Sequence, residues 1–282
     1  MAYDPVSAKV VLFGGFNAGG YLGDTWTFDG VNWTELTPPV SPPARGDVGM
    51  AFDAALRKLV MFGGYNYGVD YDDTWLFDGS TGIWEQASPR VSPPAVNQPS
   101  AFTDPLDGKA DVFGGFGTAG YESGTWQFVG TTWIQLEPTA SPTARSAAIG
   151  ALDPVAKNVV LFGGQGDDPD NTWTWDGKNW TEQSPAQQPP QLVGGAAAFD
   201  PGFGVLIAFG GYVSGAGQNG TWAWTGSNWG QLHPATSPAP RSFVGMTNDQ
   251  ALGHIVVFGG YNPEGFQYYG DTWELIATPP SR

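Results

Sequence analysis

The sequence predicts an all-β protein, a six-bladed propeller with four-stranded antiparallel blades, and two repeated markers carry that prediction. The motif Phe-Gly-Gly occurs six times, beginning at Phe13, Phe62, Phe113, Phe162, Phe209 and Phe258. A Thr-Trp pair follows each copy, with its indole at Trp26, Trp75, Trp126, Trp173, Trp222 and Trp273. Both markers recur every 50 residues or so, which indicates a tandem unit with the length of a propeller blade.

The first two strands of each unit, strands A and B, are predicted to form a hairpin. In the second unit a short apolar stretch ends at Asp53, and a second apolar stretch runs from Lys58 to Phe62. In the units with Asp4-Pro5, Asp104-Pro105 and Asp153-Pro154 the intervening turn begins Asp-Pro, where Pro presets φ and the Asp side chain can accept from the backbone two residues on. Strand B ends in a glycine pair, such as Gly14-Gly15 or Gly63-Gly64, which suits positive φ or the close approach of a neighbouring strand.

Strands C and D carry the large rings. In the second unit Trp75 and Phe77 alternate along strand C, which is the period of a β-strand. An Asp-Gly turn at residues 78–79 then predicts a hairpin. Five units place a further ring in strand D, at Trp33, Trp84, Trp133, Trp180 and Trp229. Each unit is therefore predicted to be a four-stranded meander, except the sixth, which lacks this last tryptophan.

A single meander cannot bury both of its aromatic faces, so we expect the six units to pack radially, with strand A nearest the axis. Small residues in strand A, such as Gly49 and Ala51, suit a place where six strands crowd together. The rings would then lie between blades, each burying on the order of 150–250 Å². Packing alone accounts for the 13 tryptophans.

The period predicts one domain over residues 1–282 and a three-stranded sixth blade. We expect blade boundaries at about 1–40, 41–91, 92–140, 141–187, 188–236 and 237–282. Apolar packing across the seam is expected to close the ring. We expect a monomer, with dimerisation through the bare edge of blade 6 as the alternative. A segment cut from a longer natural array and an engineered chain would both produce such ends.

These marks resemble the kelch repeat: a double glycine after strand B, an aromatic residue in strand C and a tryptophan in strand D. The sequence patterns DPxxxKVVLFGG, DTWxFDGxxW and SPxAR are most similar to the kelch repeats of large bacterial proteins. The resemblance covers the whole chain and implies the propeller fold. It does not choose between a binding module and an enzyme, because propellers serve as both.

Composition excludes several classes of function. A formal charge of −16 with only 11 Lys and Arg argues against binding nucleic acids or acidic membranes, and favours a neutral, cationic or sugar ligand. The absence of cysteine excludes disulfides, thiolate metal sites and cysteine nucleophiles. The residues from Met1 onward lack the basic start and apolar run typical of a signal peptide, and no segment reaches 18 consecutive apolar residues, so we expect neither a signal peptide nor a membrane span within this sequence. Its low Lys content and its richness in Thr, Asn, Gly and Trp resemble bacterial exported domains, so we expect an extracellular or cell-surface parent protein.

Variable loops between strands B and C supply the first candidate site. Antiparallel alternation places them on one face of the ring with the loops between strand D and the next strand A. Function tends to lie on such loops. Exposed rings at Tyr67, Tyr71, Tyr121 and Tyr268 are suited to peptide recognition or to stacking on sugars. The alternative is that loop aromatics cap the blade core, most clearly those directly after the glycine pair: Tyr65, Phe116, Tyr212 and Tyr261.

Three arginines supply the second candidate site. Arg45, Arg145 and Arg241 share one register in alternate units, before strand A. If they ring the channel mouth, they could bind a carboxylate, sulfate or phosphate through forked hydrogen bonds. The alternative is structural: each arginine binds carbonyls or a carboxylate of the next blade. The kelch resemblance supports this alternative, because kelch repeats often carry arginine here.

No catalytic, metal or cofactor site is expected. Acidic clusters at 70–73 and 167–170 match no twelve-residue calcium loop, so we interpret them as solvated turns. A copper site of the galactose oxidase type needs a Tyr–Cys crosslink, and only His233 and His254 are present. The sialidase motif SxDxGxTW is also absent. The sequence thus favours a non-catalytic recognition or scaffold module for a protein or peptide, with a lectin-like propeller second and a hydrolase or lyase using the arginines third.

Overall fold

A computed structural model describes residues 1–276 and confirms the six-bladed all-β propeller; no helix forms among these residues. Blade 1 comprises β1 (Ala2–Asp4), β2 (Lys9–Asn17), β3 (Gly20–Phe28) and β4 (Trp33–Leu36). Blade 2 comprises β5 (Gly49–Asp53), β6 (Lys58–Phe62), β7 (Tyr65–Asn66), β8 (Val69–Asp70), β9 (Thr74–Asp78) and β10 (Ile83–Ala87). Blade 3 comprises β11 (Ser100–Thr103), β12 (Ala110–Phe113), β13 (Phe116–Gly117), β14 (Gly120–Tyr121), β15 (Thr125–Phe128) and β16 (Trp133–Leu136).

The other three blades follow the same plan. Blade 4 comprises β17 (Arg145–Ser146), β18 (Ile149–Asp153), β19 (Asn158–Phe162), β20 (Gln165–Gly166), β21 (Thr172–Trp175) and β22 (Trp180–Gln183). Blade 5 comprises β23 (Ala196–Asp200), β24 (Val205–Phe209), β25 (Tyr212–Val213), β26 (Ala216–Gly217), β27 (Thr221–Trp224) and β28 (Trp229–Leu232). Blade 6 comprises β29 (Gly245–Asp249), β30 (His254–Phe258), β31 (Tyr261–Asn262), β32 (Gln267–Tyr268) and β33 (Thr272–Leu275).

In blades 1 to 5 the long strands pair in the order A-B-C-D, every pair antiparallel, and the two-residue strands belong to the loops. Blade 6 has three strands, as predicted: β29, β30 and β33. The predicted sixth blade extends to 282, but residues 277–282 lie outside the described part of the chain.

Strand A is the innermost strand of every blade. Each A strand contacts the A strands of both neighbouring blades, including β1 with β29 across the seam. The strands enclose a channel cavity of about 310 Å³, lined by small and apolar side chains such as Ala51, Ala101 and Gly150. The acids that open the A–B turns are buried and accept backbone N–H bonds; Asp104, for example, accepts from Leu106 at 2.8 Å.

A strand D tryptophan packs at five of the interfaces between blades: 1–2, 2–3, 3–4, 4–5 and 6–1. Its indole N–H donates to the threonine of the Thr-Trp pair in strand C of the preceding blade, with N–O distances of 2.8–2.9 Å. The donor–acceptor pairs are Trp84–Thr25, Trp133–Thr74, Trp180–Thr125, Trp229–Thr172 and, across the seam, Trp33–Thr272. The indole thus contributes both buried area and a hydrogen bond between blades.

Apolar packing joins blade 6 to blade 1, as expected, and the Trp33–Thr272 hydrogen bond adds to it. Tyr3, Val10, Phe28 and Val256 form a buried cluster at this seam. The Trp33 ring lies 5.0 Å from the ring of Phe258 between centroids. Blade 1 therefore contacts blade 6 through a strand D tryptophan, as in the interfaces 1–2, 2–3, 3–4 and 4–5.

The glycine pair allows the next blade to approach closely. Gly63 has a φ of +71°, and a Cβ built on it would lie 2.5 Å from the carbonyl oxygen of Val96 in blade 3. The following Gly64 N–H donates to that same oxygen at 2.9 Å. The first glycine therefore leaves room for the carbonyl that the second glycine binds.

Candidate functional site

The B–C loops and the D–A loops meet on one face of the ring, which we call the loop face. In blade 2, Gly46 of the D–A loop pairs with Tyr65 of the B–C loop, and four other blades repeat this pairing. The loops therefore form a continuous surface that backbone hydrogen bonds support.

A collar of backbone hydrogen bonds links the D–A loops at this face. Five residues, each two positions after the arginine register, have φ between +53° and +62°: Asp47, Gln98, Ala147, Gly194 and Phe243. Each later member donates its N–H to the carbonyl of the member before it, at 2.5–2.9 Å. The collar fixes the D–A loops relative to one another.

Arg45 and Arg241 are buried anchors for the loops of their own blades. The side chain of Arg45 is 0% exposed. Its guanidinium donates to the carbonyls of Pro43 and Gly63, both at 3.1 Å, and to both carboxylate oxygens of Asp73. Arg241 repeats this arrangement with Asp271 at 2.6 and 3.0 Å. The hydrogen bond from Arg241 lowers the pKa of Asp271.

Each of these two anchors also carries a tyrosine. The ring centroid of Tyr71 lies 3.5 Å from the guanidinium carbon of Arg45, and that of Tyr269 lies 3.8 Å from Arg241. Such stacking combines with the forked carboxylate pairing to hold a planar guanidinium on several sides. One candidate ligand ring, Tyr71, is therefore packed on a structural arginine.

Arg145 is held by neutral groups instead. Asn171 occupies the position of Asp73 and accepts from Arg145 at 2.9 Å, and carbonyls of residues 143, 163, 168 and 169 accept its other bonds. Burial lowers the pKa of Arg145 to about 10. This anchor lacks the paired carboxylate of blades 2 and 6.

The structure places the three arginines inside separate blades, not together around the channel mouth. Each bonds within its own blade, and none belongs to the described residues that line the channel cavity. The converging anion site anticipated from their register is therefore corrected to three separate loop anchors. The structural alternative also needs correction, because the carboxylate partner belongs to the same blade and not to the next one.

A correlation between repeats could have revealed these anchors. Blades that carry the arginine have Asp73, Asn171 or Asp271 before the Thr-Trp pair. Blades 3 and 5 have Val96 and Leu192 in the arginine register, and a glycine, Gly124 or Gly220, before Thr-Trp. In blades 2 to 6 the cation and its partner thus occur together or are both missing.

Six aromatic rings from blades 6, 1 and 2 form a continuous arc on the loop face, which we call the aromatic arc. Its members are Tyr261, Tyr268, Phe16, Tyr21, Tyr65 and Tyr67. Neighbouring ring centroids are 4.8–5.8 Å apart. The side chains of Phe16, Tyr67 and Tyr268 are exposed, by 46%, 73% and 36%. Two of the four candidate tyrosines therefore lie in one surface.

Tyr121 stands apart from the arc. It packs against Phe116 in blade 3, with ring centroids 5.0 Å apart. Within residues 1–276, no aromatic pair links these two rings to the arc. Sequence reasoning missed Phe16 and Tyr21, although their loop, FNAGGY, has the same spacing as FGTAGY in blade 3.

The Tyr21 hydroxyl lies at the centre of the arc, and its pKa is raised. Burial, followed by the charge of Asp47, raises the pKa of Tyr21 to about 12. Burial also raises the pKa of Asp47. The Tyr21 hydroxyl therefore keeps its proton at neutral pH and can donate a hydrogen bond to a ligand.

Two further features bear on chemistry. Residues 1–276 contain no group of three or more His, Asp or Glu side chains arranged to hold a metal ion. Nor does this part of the chain contain a helix long and apolar enough to cross a membrane.

Comparison with known proteins identifies one similarity. The family model described as the KLHDC2/KLHL20/DRC7 Kelch-repeats domain matches residues 1–164, more than half of the 282 residues. The match spans blades 1 to 3 and reaches the glycine pair of blade 4. A search of curated proteins finds no match.

Proposed function

The chain belongs to the kelch-repeat family, whose propellers are commonly protein-interaction modules, and from that premise we propose that it binds a protein or peptide on the loop face. In this proposal it is a non-catalytic recognition module, and the aromatic arc is the centre of its binding surface. Because fold does not determine function, the proposal depends on the chemistry of that surface.

The observation that carries the proposal is the continuity of the aromatic arc. Tyrosine rings are enriched at the centres of protein interfaces, because they bury a large area with few rotatable bonds and offer a hydroxyl. Tyr67 and Tyr268 lie towards opposite ends of the arc and remain exposed. A ligand lying across blades 6, 1 and 2 would cover both.

The anchored loops support this proposal. Arg45 and Arg241 hold the B–C loops of blades 2 and 6, which contribute Tyr67 and Tyr268. Loops that are already ordered lose little conformational freedom on binding, and this strengthens the affinity. The arrangement therefore resembles a preorganised surface more than a flexible one.

Charge narrows the class of partner. The chain carries a formal charge of −16, and Asp70 lies beside Tyr65 of the arc. Long-range attraction raises the association rate of a positively charged partner and weakens with added salt. We propose that the partner segment is cationic and contains apolar or aromatic side chains.

A carbohydrate ligand is the second candidate. Exposed tyrosine rings stack on the apolar faces of sugars, and Tyr67 and Tyr268 provide such rings. The enzyme alternative gains no support from the arginines, because their guanidinium groups are engaged inside the blades.

Selection of peptides from a displayed random library against the whole chain tests the proposal. We expect the selected peptides to be cationic, and we expect Tyr67→Ala and Tyr268→Ala each to weaken their binding about tenfold to a hundredfold. Tyr121→Ala is the matched control, since it removes a tyrosine of the same loop type outside the arc. Peptides that bind Tyr67→Ala and the wild type equally well would place recognition elsewhere.

A glycan array distinguishes the second candidate. The carbohydrate hypothesis would replace the peptide proposal if no peptide is selected and a defined sugar binds the wild type. That sugar binding should be lost in both Tyr67→Ala and Tyr268→Ala. An array without signal, together with Tyr67-dependent peptide binding, would leave the peptide proposal standing.

A further inference from the structure

Asparagine followed directly by glycine occurs once in this chain, at Asn219-Gly220. The pair lies in the B–C loop of blade 5, between β26 and β27, and therefore belongs to the loop face. The side chain of Asn219 is exposed to solvent. Neither residue belongs to the aromatic arc or to the buried clusters between blades, so the pair has no part in the proposed binding surface.

The side-chain amide of Asn219 and the backbone N–H of Gly220 make no hydrogen bond within residues 1–276. The backbone carbonyls of both residues are engaged. That of Asn219 accepts from the Ser237 hydroxyl at 3.4 Å, and that of Gly220 accepts from the Gly210 N–H at 3.2 Å. The loop is thus held through its carbonyls, while the amide group and the following nitrogen have no competing partner in the described part of the chain.

Blade 5 also lacks the ion pair that holds the same position in blade 2. Gly220 occupies the position of Asp73, whose carboxylate is paired with Arg45. The arginine register of blade 5 holds Leu192, which cannot form such a pair. Segments with fewer anchoring contacts open at a lower cost in free energy. The backbone at Gly220 is therefore easier to reorient than its counterpart in blade 2.

Glycine leaves its backbone nitrogen accessible to the side chain of the preceding residue. Without a Cβ, residue 220 places no side chain beside that nitrogen, and its backbone rotates more freely than that of any other residue. A Cβ built on Gly220 would lie 2.9 Å from Nε1 of Trp222, so the fold itself favours glycine here. The contact that would slow an approach of Asn219 to this nitrogen is therefore absent.

We propose that Asn219-Gly220 is a site of self-modification, at which water converts the asparagine to aspartate and isoaspartate. In the first step the backbone nitrogen of Gly220 loses its proton to solvent and bonds to Cγ of Asn219. The bond from Cγ to the side-chain nitrogen breaks, and that nitrogen leaves as ammonia. The product is a cyclic succinimide.

In the second step water opens the ring at one of its two carbonyl carbons. Cleavage of the bond between Cγ and the Gly220 nitrogen gives aspartate and restores the original backbone. Cleavage of the bond between that nitrogen and the main-chain carbonyl carbon of residue 219 gives isoaspartate, in which the backbone runs through the former side chain. The chain has then gained water and lost ammonia, no group has been oxidised or reduced, and the loop face carries one more negative charge.

The repeat shows that the aspartate product is compatible with the fold. The position of Asn219 holds Asp72 in blade 2 and Asp170 in blade 4, and both are exposed. Isoaspartate differs from both, because it adds a methylene group to the backbone next to Gly220, whose carbonyl accepts from Gly210. We therefore expect aspartate to leave the loop intact and isoaspartate to disturb it.

The test incubates the purified whole chain in mildly alkaline buffer, where it remains folded, and maps its peptides by mass spectrometry. The peptide that contains Asn219 should gain mass about tenfold faster than the peptide that contains Asn32, a rate difference that a barrier lower by about 1.4 kcal/mol produces. Asn32 is the internal control, because it is also exposed but precedes Trp33. Isoaspartate formed at Asp-Gly turns leaves the mass unchanged, so the mass gain reports asparagine alone.

Two variants complete the test. Asn219→Gln should remove the fast mass gain, because the longer side chain would have to close a larger ring. Asn219→Asp should melt at the temperature of the wild type, as expected for an exposed position that is aspartate in two other blades. A large loss of stability in Asn219→Asp would contradict the tolerance inferred from the repeat.

Two further results would overturn the proposal. One is conversion of Asn219 in the folded chain that is no faster than conversion of Asn32, even if the denatured chain converts rapidly, because the fold would then protect the pair. The other is an equally fast mass gain in Asn219→Gln, which would assign the reaction to another residue. Neither result depends on whether the loop face binds a peptide, so this proposal and the proposed function stand or fall separately.

Discussion

The interfaces between blades 1 and 2 and between blades 5 and 6 have equivalent walls but differ by one side chain. At the first, Trp84 is 1% exposed and donates to Thr25 at 2.9 Å. At the second, a cavity lies beside Thr221. The difference shows that strand D has two roles. It is the outer strand of its own sheet, and it also supplies the ring that joins its blade to the preceding one.

The largest expected effect comes from making the first interface resemble the second. Trp84→Ala removes a buried indole and the hydrogen bond to Thr25, and should lower the free energy of unfolding by about 3–5 kcal/mol. Chemical denaturation of the two proteins measures this change. Phe266→Ala is the control, because Phe266 is 80% exposed and its loss should have almost no effect. A loss below about 1 kcal/mol for Trp84→Ala would mean that the indole does not hold the blades together.

The interface between blades 3 and 4 differs in another way, because a buried acid replaces an apolar residue. Asp111 occupies the strand B position that holds Val11, Val60, Val160, Ile207 or Val256 in the other blades. Both of its carboxylate oxygens are buried without a hydrogen-bond partner among the described residues. Burial and the nearby charge of Asp104 raise the pKa of Asp111 to about 9.

Asp111→Val should therefore stabilise the protein by a few kcal/mol at pH 7. Because the pKa of Asp111 is higher in the folded state than in the unfolded one, the folded state binds the extra proton. The wild type should lose stability relative to the variant as the pH rises from about 4 to about 9. Thermal melting of both proteins across this range measures the difference. A constant difference would show that Asp111 does not titrate as its environment indicates.

The sequence predicted the fold because the repeat specifies it several times. Six glycine pairs and six Thr-Trp pairs set the period, and the absence of a strand D tryptophan after Trp273 predicted the three-stranded blade. It did not predict that the threonine of Thr-Trp accepts the indole of the next blade. That contact joins residues 55–59 positions apart within the ring and 239 apart at the seam, and no local pattern reports it.

Prediction of the candidate site was less complete for a related reason. The loop tyrosines were recognisable by type, but their grouping depends on how blades 6, 1 and 2 come together. In the structure Tyr67 and Tyr268 belong to the arc. Tyr71 packs on Arg45 instead, and Tyr121 contacts only Phe116 among the described aromatic pairs. A shared register showed that the three arginines were equivalent, but not that they point into their own blades.

The smallest expected effect gives the sharpest comparison of the two interfaces, because the same substitution is made at equivalent positions. Thr25→Val leaves the buried indole N–H of Trp84 without an acceptor and should cost about 1–3 kcal/mol of unfolding free energy. Thr221→Val should change this free energy by less than about 0.5 kcal/mol, since no indole of the described residues depends on it and valine adds an apolar wall. Paired denaturation curves measure both changes. Equal losses would show that Thr221 already supports a contact as strong as that of Thr25, and the two interfaces would then be alike in energy despite their different filling.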